Sequence, residues 1–334
     1  MKGNRFLITG LFVFFGGWLT YCENEVDINA DWKETMVVYG LLDPNDTIQY
    51  IKVNKAFLNN NTSALVAAQN SDSLYLKNVE VNLIRLNTGE VIPLQKTNNV
   101  IKNPGLFASD VNYLYTTKNA IAENEPYKVE VKSGLTGNIA SAVTWTLRKA
   151  RIEAPFRSNT PIFSLAANYI TISYVPGTNA YAFDIKMTAQ IEEYNAADTS
   201  FIGTKNITWN VITNYAISQP GFNQPMQTVI HQIDRLSFLQ FLANSLTVSK
   251  NIIRKFKTVG IQYYGGSQNL IDYISVNEPS IGIVQKQAEY SNIEGGFGLF
   301  GSRCKQEVNK VPLEPASIGI LQSNPATKEL NFIR

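Results

Sequence analysis

Residues 79–94 read Val79-Glu80-Val81-Asn82-Leu83-Ile84-Arg85-Leu86-Asn87-Thr88-Gly89-Glu90-Val91-Ile92-Pro93-Leu94. Val79, Val81 and Leu83 alternate with Glu80 and Asn82, so the apolar residues share one face, as in a half-buried strand. Asn87-Thr88-Gly89-Glu90 is a hairpin-type turn, and Val91 to Leu94 is the returning strand. The same alternation extends outward on both sides. Upstream, Met36 to Leu42 (MVVYGLL) is an apolar strand, and Asp43-Pro44-Asn45-Asp46 is a turn with proline at its favoured position. Gln49 to Phe57 (QYIKVNKAF) alternates again. Downstream, Tyr127 to Lys132 and Ile139 to Leu147 are strands joined by a turn at Gly134 to Asn138. Six or seven short strands in about 120 residues, separated by turns, predict an antiparallel β-sandwich of immunoglobulin-like or transthyretin-like type over residues 35–150.

Residues 58–78 break the pattern as a polar loop, with a helical turn expected at Leu65 to Ala68. The segment Arg148 to Pro155 is the expected boundary. Beyond it, a second β-rich domain is predicted over residues 151–310. Its strands are Tyr169 to Val175, Ala180 to Glu192, Lys205 to Tyr215, Phe256 to Tyr264 and Leu270 to Val276. Pro220 and Pro225 close a loop. Ile233, Leu236, Leu239, Ala243 and Leu246 keep helical spacing, with Asp234 as the N-cap. Residues 311–334 carry Pro312, Pro315 and Pro325 and read as an irregular tail. The predicted fold class is therefore mainly β, with one or two helices packed on the second domain.

Composition agrees with this class. Aromatic residues make up 11% of the chain, and Thr, Val, Ile and Tyr dominate many windows. The chain is long enough for two domains. Lys2 and Arg5 are the only charges in residues 1–21, and the remainder balances its acids and bases. A neutral chain lacks the basic stripe that nucleic acid requires.

The N-terminus carries a different kind of information. Lys2 and Arg5 precede an apolar run from Phe6 to Trp18, followed by Leu19-Thr20-Tyr21-Cys22. A basic start, a short apolar run and a processing site make a secretory signal peptide over residues 1–21. The run is shorter than the roughly 20 residues needed to cross a bilayer. Leu19, three places before Cys22, resembles the lipobox of bacterial lipoproteins, with Tyr21 where that motif has a small residue. The resemblance implies that Cys22 is lipidated and opens the mature chain, with residues 22–34 as a tether. The alternative is an ordinary secreted protein with an incidental cysteine. Glu23, Glu25 and Asp27 resemble the acidic export signal of surface lipoproteins in Bacteroidota; the bland alternative is a solvated linker. With Cys22 acylated, Cys304 has no disulfide partner and is expected to be buried.

Catalytic and metal chemistry finds few residues. His231 is the only histidine, which excludes a catalytic triad and a histidine-rich metal site; it reads as a helix-end residue. Glu192 and Glu193 are neighbours on a strand and point to opposite faces, so they are not a glycosidase pair, and Glu278 stands apart. Trp32, Trp145 and Trp209 could stack on sugars, but core packing is the expectation. Gly296-Phe297-Gly298-Leu299-Phe300-Gly301 is a literal GxGxxG. A dinucleotide site needs a following helix, a second strand and an acid about 20 residues on. The proline-broken remainder offers none, so no cofactor is expected. A tight loop, with Phe297, Leu299 and Phe300 plugging the core, is the expectation instead. Asp46-Thr47-Ile48 and Asp72-Ser73-Leu74 resemble the Bacteroidota O-glycosylation motif, with Thr47 and Ser73 as acceptors in predicted turns or loops.

Two longer stretches carry a resemblance that covers nearly the whole mature chain. Residues 37–44 (VVYGLLDP) with 50–58 (YIKVNKAFL), and residues 290–303 (YSNIEGGFGLFGSR), are similar to the two signatures of a Bacteroidota outer-membrane lipoprotein family catalogued as a domain of unknown function. The second signature there reads TNIENGLGIFSSR-like. Asn292, Gly296, Phe297, Gly298, Phe300, Gly301 and Arg303 are its structural residues in this chain, while Gly295 stands where the family has Asn. The resemblance implies a lipid-anchored, surface-exposed outer-membrane accessory protein whose partner is a TonB-dependent transporter, without enzymatic activity. A stand-alone surface glycan-binding protein, which needs an exposed aromatic platform, and a glycan hydrolase, which needs converging carboxylates, are the alternatives.

Overall fold

The computed structural model describes residues 34–56, 64–155, 161–219, 226–277 and 289–334. The protein is mainly β. In the first half, β1 (Met36–Leu42) and β2 (Gln49–Lys55) flank the Asp43-Pro44 turn. Two short helices, α1 (Ala64–Ala68) and α2 (Ser71–Leu74), occupy the polar segment. Then come β3 (Val79–Arg85), β4 (Glu90–Pro93), β5 (Gln95–Thr97), β6 (Leu114–Thr117), β7 (Pro126–Ser133) and β8 (Ile139–Trp145). The alternation in residues 79–94 does what its period requires. Leu83 faces Ile92 across the β3–β4 hairpin, and Val81 and Leu83 are fully buried.

The second half contains β9 (Arg151–Ala154), β10 (Tyr169–Val175), β11 (Ala182–Asn195), β12 (Phe201–Ala216) and β13 (Val229–Asp234). Helix α3 (Arg235–Ser245) follows, with the Asp234 carboxylate accepting from Leu236 N at 2.7 Å as the N-cap. The chain ends with β14 (Ile252–Gly266), α4 (Gln268–Asn277), β15 (Gly296–Pro312), α5 (Ser317–Ser323), a 3-10 turn at Lys328–Leu330 and β16 (Phe332–Ile333).

Two apolar cores form. In the first, Val38, Ile51, Val53 and Tyr115 meet Val81, Leu83, Val129, Val131 and Ala140 from the four-stranded sheet β4-β3-β7-β8, a sandwich. In the second, β11 and β14 bury Ile185, Met187, Ile261 and Tyr263 against Ile172 and Tyr174 of the β13-β10-β9 sheet and against Phe238, Leu239 and Leu242 of α3. Each buried side chain of this size contributes about 1.5–3 kcal/mol. The cores separate near Leu147, yet one sheet runs through both, in the order β12-β11-β14-β15-β1-β2-β6-β5.

Three sequence expectations differ from what is observed. The stretch Leu270 to Val276 is helical. Leu270, Ile271 and Ile274 share one helix face, and the floor beneath is kept low by glycine: a Cβ on Gly266 would sit 2.9 Å from Ile271 Cδ1. Residues 296–301, expected as a tight loop, instead open a single 17-residue strand that runs to Pro312. Its first half belongs to the first core through Phe300, so the expected 151–310 unit is not closed on itself. Residues 311–334 are not irregular, because Ile318, Leu321, Leu330 and Phe332 are buried in the second core.

Candidate functional site

The two signature stretches are neighbours in space. β1 and β15 pair in parallel from Met36 opposite Gly296 to Leu42 opposite Ser302, with Val38 opposite Gly298 and Gly40 opposite Phe300. Gly298 has φ +120°, and a Cβ there would lie 2.0 Å from Val38 O, so only glycine fits. Asn292 closes the other side of β15. Its Nδ2 donates to Phe300 O at 2.7 Å, and Phe300 N donates to its Oδ1 at 2.9 Å. A side-chain amide thus replaces a strand partner. Ser141 and Glu294 exchange two backbone hydrogen bonds of 2.9 and 2.8 Å, tying the same segment to β8.

The Asp43–Asp46 turn grips the C-terminal end of this unit. Asp43 is fully buried and accepts from Asn45 N and Lys305 N; burial pushes its carboxyl above the usual range. Arg303 Nη2 donates to Asp46 at 3.1 Å. Asn45 Nδ2 reaches Lys305 O at 2.9 Å and Cys304 Sγ at 3.1 Å. Cys304 is buried, and burial together with the Asp43 carboxylate pushes its thiol up to about 11. Burial thus favours the protonated thiol at neutral pH, the less reactive form.

Helix α4 lies over this seam, with clefts on either side of its first turn. One, of about 300 Å³, is floored by Leu41, Phe183, Gly265, Gly266 and Leu270 and rimmed by Asp184, Lys186 and Arg303. The other, of about 220 Å³, is walled by Trp145, Tyr181, Asn179, Ser267, Gln268 and Asn269. Tyr39, 39% exposed, and Tyr273 of α4 meet edge to face at 6.2 Å, and Tyr273 meets Tyr290 at 6.5 Å. A third hollow, about 500 Å³, lies at α2 between Tyr75, Tyr113, Lys96 and Asp110, away from the signatures.

The remaining candidates scatter. Gly296, Gly298, Phe300, Gly301, Asn292 and Arg303 converge as described. Phe297, expected in the core, is 55% exposed, because strand alternation turns it to the face opposite Phe300. Thr47 lies exposed in the β1–β2 turn, whereas Ser73 is half-buried within α2 rather than in a loop. Cys22, Glu23, Glu25 and Asp27 fall outside the described residues, as do Trp32 and Glu278. His231 is not at a helix end. It lies within β13, stacked on Tyr174 at 5.8 Å with its Nε2 3.3 Å from the Tyr174 hydroxyl, and burial lowers its pKa.

Glu192 and Glu193 do point apart. Glu193 is buried against Arg254, with Nε at 2.9 Å and Nη2 at 2.8 Å from Oε1, while Glu192 takes the Tyr194 hydroxyl and Lys257. Arg254 is fully buried and also donates to Leu330 O and Thr247 O. This pair locks β11, β14 and the C-terminal segment together. No spacing rule in the sequence marks it, since its members are 61 residues apart. Trp209 packs on Phe241 and Phe238, but Trp145, expected in the core, is 49% exposed. Among the described residues, no three His, Cys, Asp or Glu side chains converge to hold a metal ion.

No family model matches the chain, and no curated protein matches it. Among solved structures, the C-terminal globular domain of an oligosaccharyltransferase from Pyrococcus abyssi is similar at 9% identity and a TM-score of 0.21, over 68% of this chain and 47% of that one. The chain therefore spans about half the length of that structure. A likeness at that score carries no argument about function.

Proposed function

We propose that the protein is a lipid-anchored outer-membrane accessory protein, facing the cell exterior, that partners a TonB-dependent transporter in nutrient capture or uptake and is not itself an enzyme. The observation that carries this reading is the run from Lys2 to Asp27, a basic start, a short apolar stretch, Leu19 and Cys22 at lipobox spacing, and three acids directly after. The acyl chains supply the attachment, at about 0.8 kcal/mol per buried CH₂. No helix among the described residues is long and apolar enough to cross a membrane. The transporter partnership rests on the resemblance of residues 37–58 and 290–303 to the lipoprotein family. Their direct pairing as β1 and β15 supports reading them as one structural unit rather than two separate sites. The lone histidine held between tyrosines and the buried Arg254–Glu193 pair support a body built for packing rather than for proton transfer.

Purification of the native protein from detergent-solubilised envelope, with mass spectrometry of what accompanies it, tests the partnership. Recovery without any outer-membrane barrel would overturn it. Metabolic labelling with an alkyne palmitate tests the anchor. Cys22→Ser is expected to remove the label and release or strand the protein, and unaltered labelling of the variant would sink the anchor.

A further inference from the structure

The smaller cleft beside α4 has a chemistry of its own. Trp145 ends β8 with its ring half exposed. It stands in contrast to Trp209, whose ring lies stacked on Phe241 at 5.5 Å and 15°. Among the described residues, no other aromatic ring stacks on Trp145. Tyr181 and the amides Asn179, Gln268 and Asn269 surround it, with Ser267 at the base. No Asp, Glu, Lys or Arg lines the cleft.

Each amide spends at least one donor on the protein itself. Asn179 Nδ2 donates to Asn124 Oδ1 at 3.0 Å and to Thr146 O at 3.2 Å. Gln268 Nε2 donates to Asp272. Asn269 Nδ2 donates to Val143 O and Phe300 O, while its Oδ1 accepts from Tyr290. Asn179 Oδ1, Gln268 Oε1 and the Tyr181 hydroxyl have no partner among the described residues. The cleft thus offers an open indole, oriented carbonyl acceptors and a phenol, with no net charge. A ligand that fits needs an apolar face to lie on the ring, hydroxyl donors at its edge, and no ionic group. Bound sites of this kind gain affinity from an aromatic anchor and specificity from a few fixed polar atoms.

We infer that this cleft is a binding subsite for a neutral pyranose, with Trp145 as the stacking platform and Asn179, Gln268 and Tyr181 accepting or donating to its hydroxyls. The volume, about 220 Å³, suits one sugar ring rather than an oligosaccharide. The inference deepens the proposed capture function by naming a cargo class, but it does not depend on the lipid anchor or the transporter.

The test uses the full chain in a detergent without a sugar headgroup. Saturation-transfer NMR and calorimetry are run with glucose, galactose, mannose and N-acetylglucosamine, and with glucuronate as the charged control. At least one neutral sugar is expected to bind, with glucuronate much weaker. Trp145→Ala is expected to weaken binding by about tenfold or more, as loss of an aromatic anchor does, with a parent-like melting temperature. Gln268→Ala is expected to weaken it by a smaller factor. Absence of binding by all four neutral sugars overturns the inference, as does parent-like binding by Trp145→Ala or equal binding of glucuronate. Loss of a co-purifying protein from Trp145→Ala, without any sugar signal, would assign the cleft to a protein contact instead. A chain that binds sugar but purifies without a barrel would fail the transporter reading alone.

Discussion

Phe297 and Phe300 differ by three positions in one strand and by almost everything else. Phe300 is fully buried in the first core, and Phe297 is 55% exposed on the opposite face. Truncating a buried phenylalanine costs about 3–5 kcal/mol, so Phe300→Ala is expected to lower the melting temperature by several degrees. Phe297→Ala is expected to melt like the parent. Gly298→Val should behave like Phe300→Ala, since its Cβ would collide with Val38 O and its φ of +120° disfavours any side chain. Thermal melts of the three variants check this ordering. Equal destabilisation by Phe297→Ala and Phe300→Ala would contradict the strand register. The GxGxxG spacing is thereby explained without a nucleotide: Gly298 lets two backbones approach, and the residues between the glycines are distributed to the two faces of a sheet.

At the scale of elements, the C-terminal segment departs furthest from its composition. Three prolines suggest an irregular tail, yet α5, the 3-10 turn and β16 bury Ile318, Leu321, Leu330 and Phe332. The segment also supplies backbone oxygens to the buried arginine: Arg254 Nη1 donates to Leu330 O at 2.9 Å, and Arg254 N donates to Asn331 O at 3.0 Å. A stop codon after Leu313 would open the second core and strip two acceptors from a fully buried residue. A buried charge that loses partners costs several kcal/mol, and the apolar loss adds to it. The truncated protein is expected to lose its cooperative melt and to be digested rapidly by trypsin under conditions in which the parent resists. Parent-like melting would return the segment to the status of a tail. Helix α4 likewise departs from the expected strand. Its short run of β-branched and aromatic residues suits a strand locally, and the glycine floor of β14 and β15 leaves room for the helix.

The whole molecule is two cores strung on one sheet, with β15 as the shared member. Its first half pairs with β1 and its second half with β14, so the two halves cannot separate without breaking a strand. Such a body ties the segments on either side of residue 150 into one sheet. If Glu23, Glu25 and Asp27 direct that body outward, their replacement by Ala should leave lipidation intact and reduce cleavage by protease added to whole cells. Equal shaving of variant and parent would make the cluster a linker only. Much of this architecture was legible in the chain itself. Residues 79–94 and 169–175 carry a two-residue period, residues 36–42 are a short apolar run, and Asp234 is placed as a helix N-cap, because these are local rules that each segment obeys alone. The resemblance of residues 19–22 to a lipobox is likewise carried by a short-range pattern. Tertiary structure alone decided the rest. The β1–β15 pairing, the Asn292 clasp, the Arg254–Glu193 lock and the exposure of Trp145 each join residues distant in sequence. Local periodicity holds no record of which strand lies beside which, since that choice is made by the joint burial of both faces of a sheet.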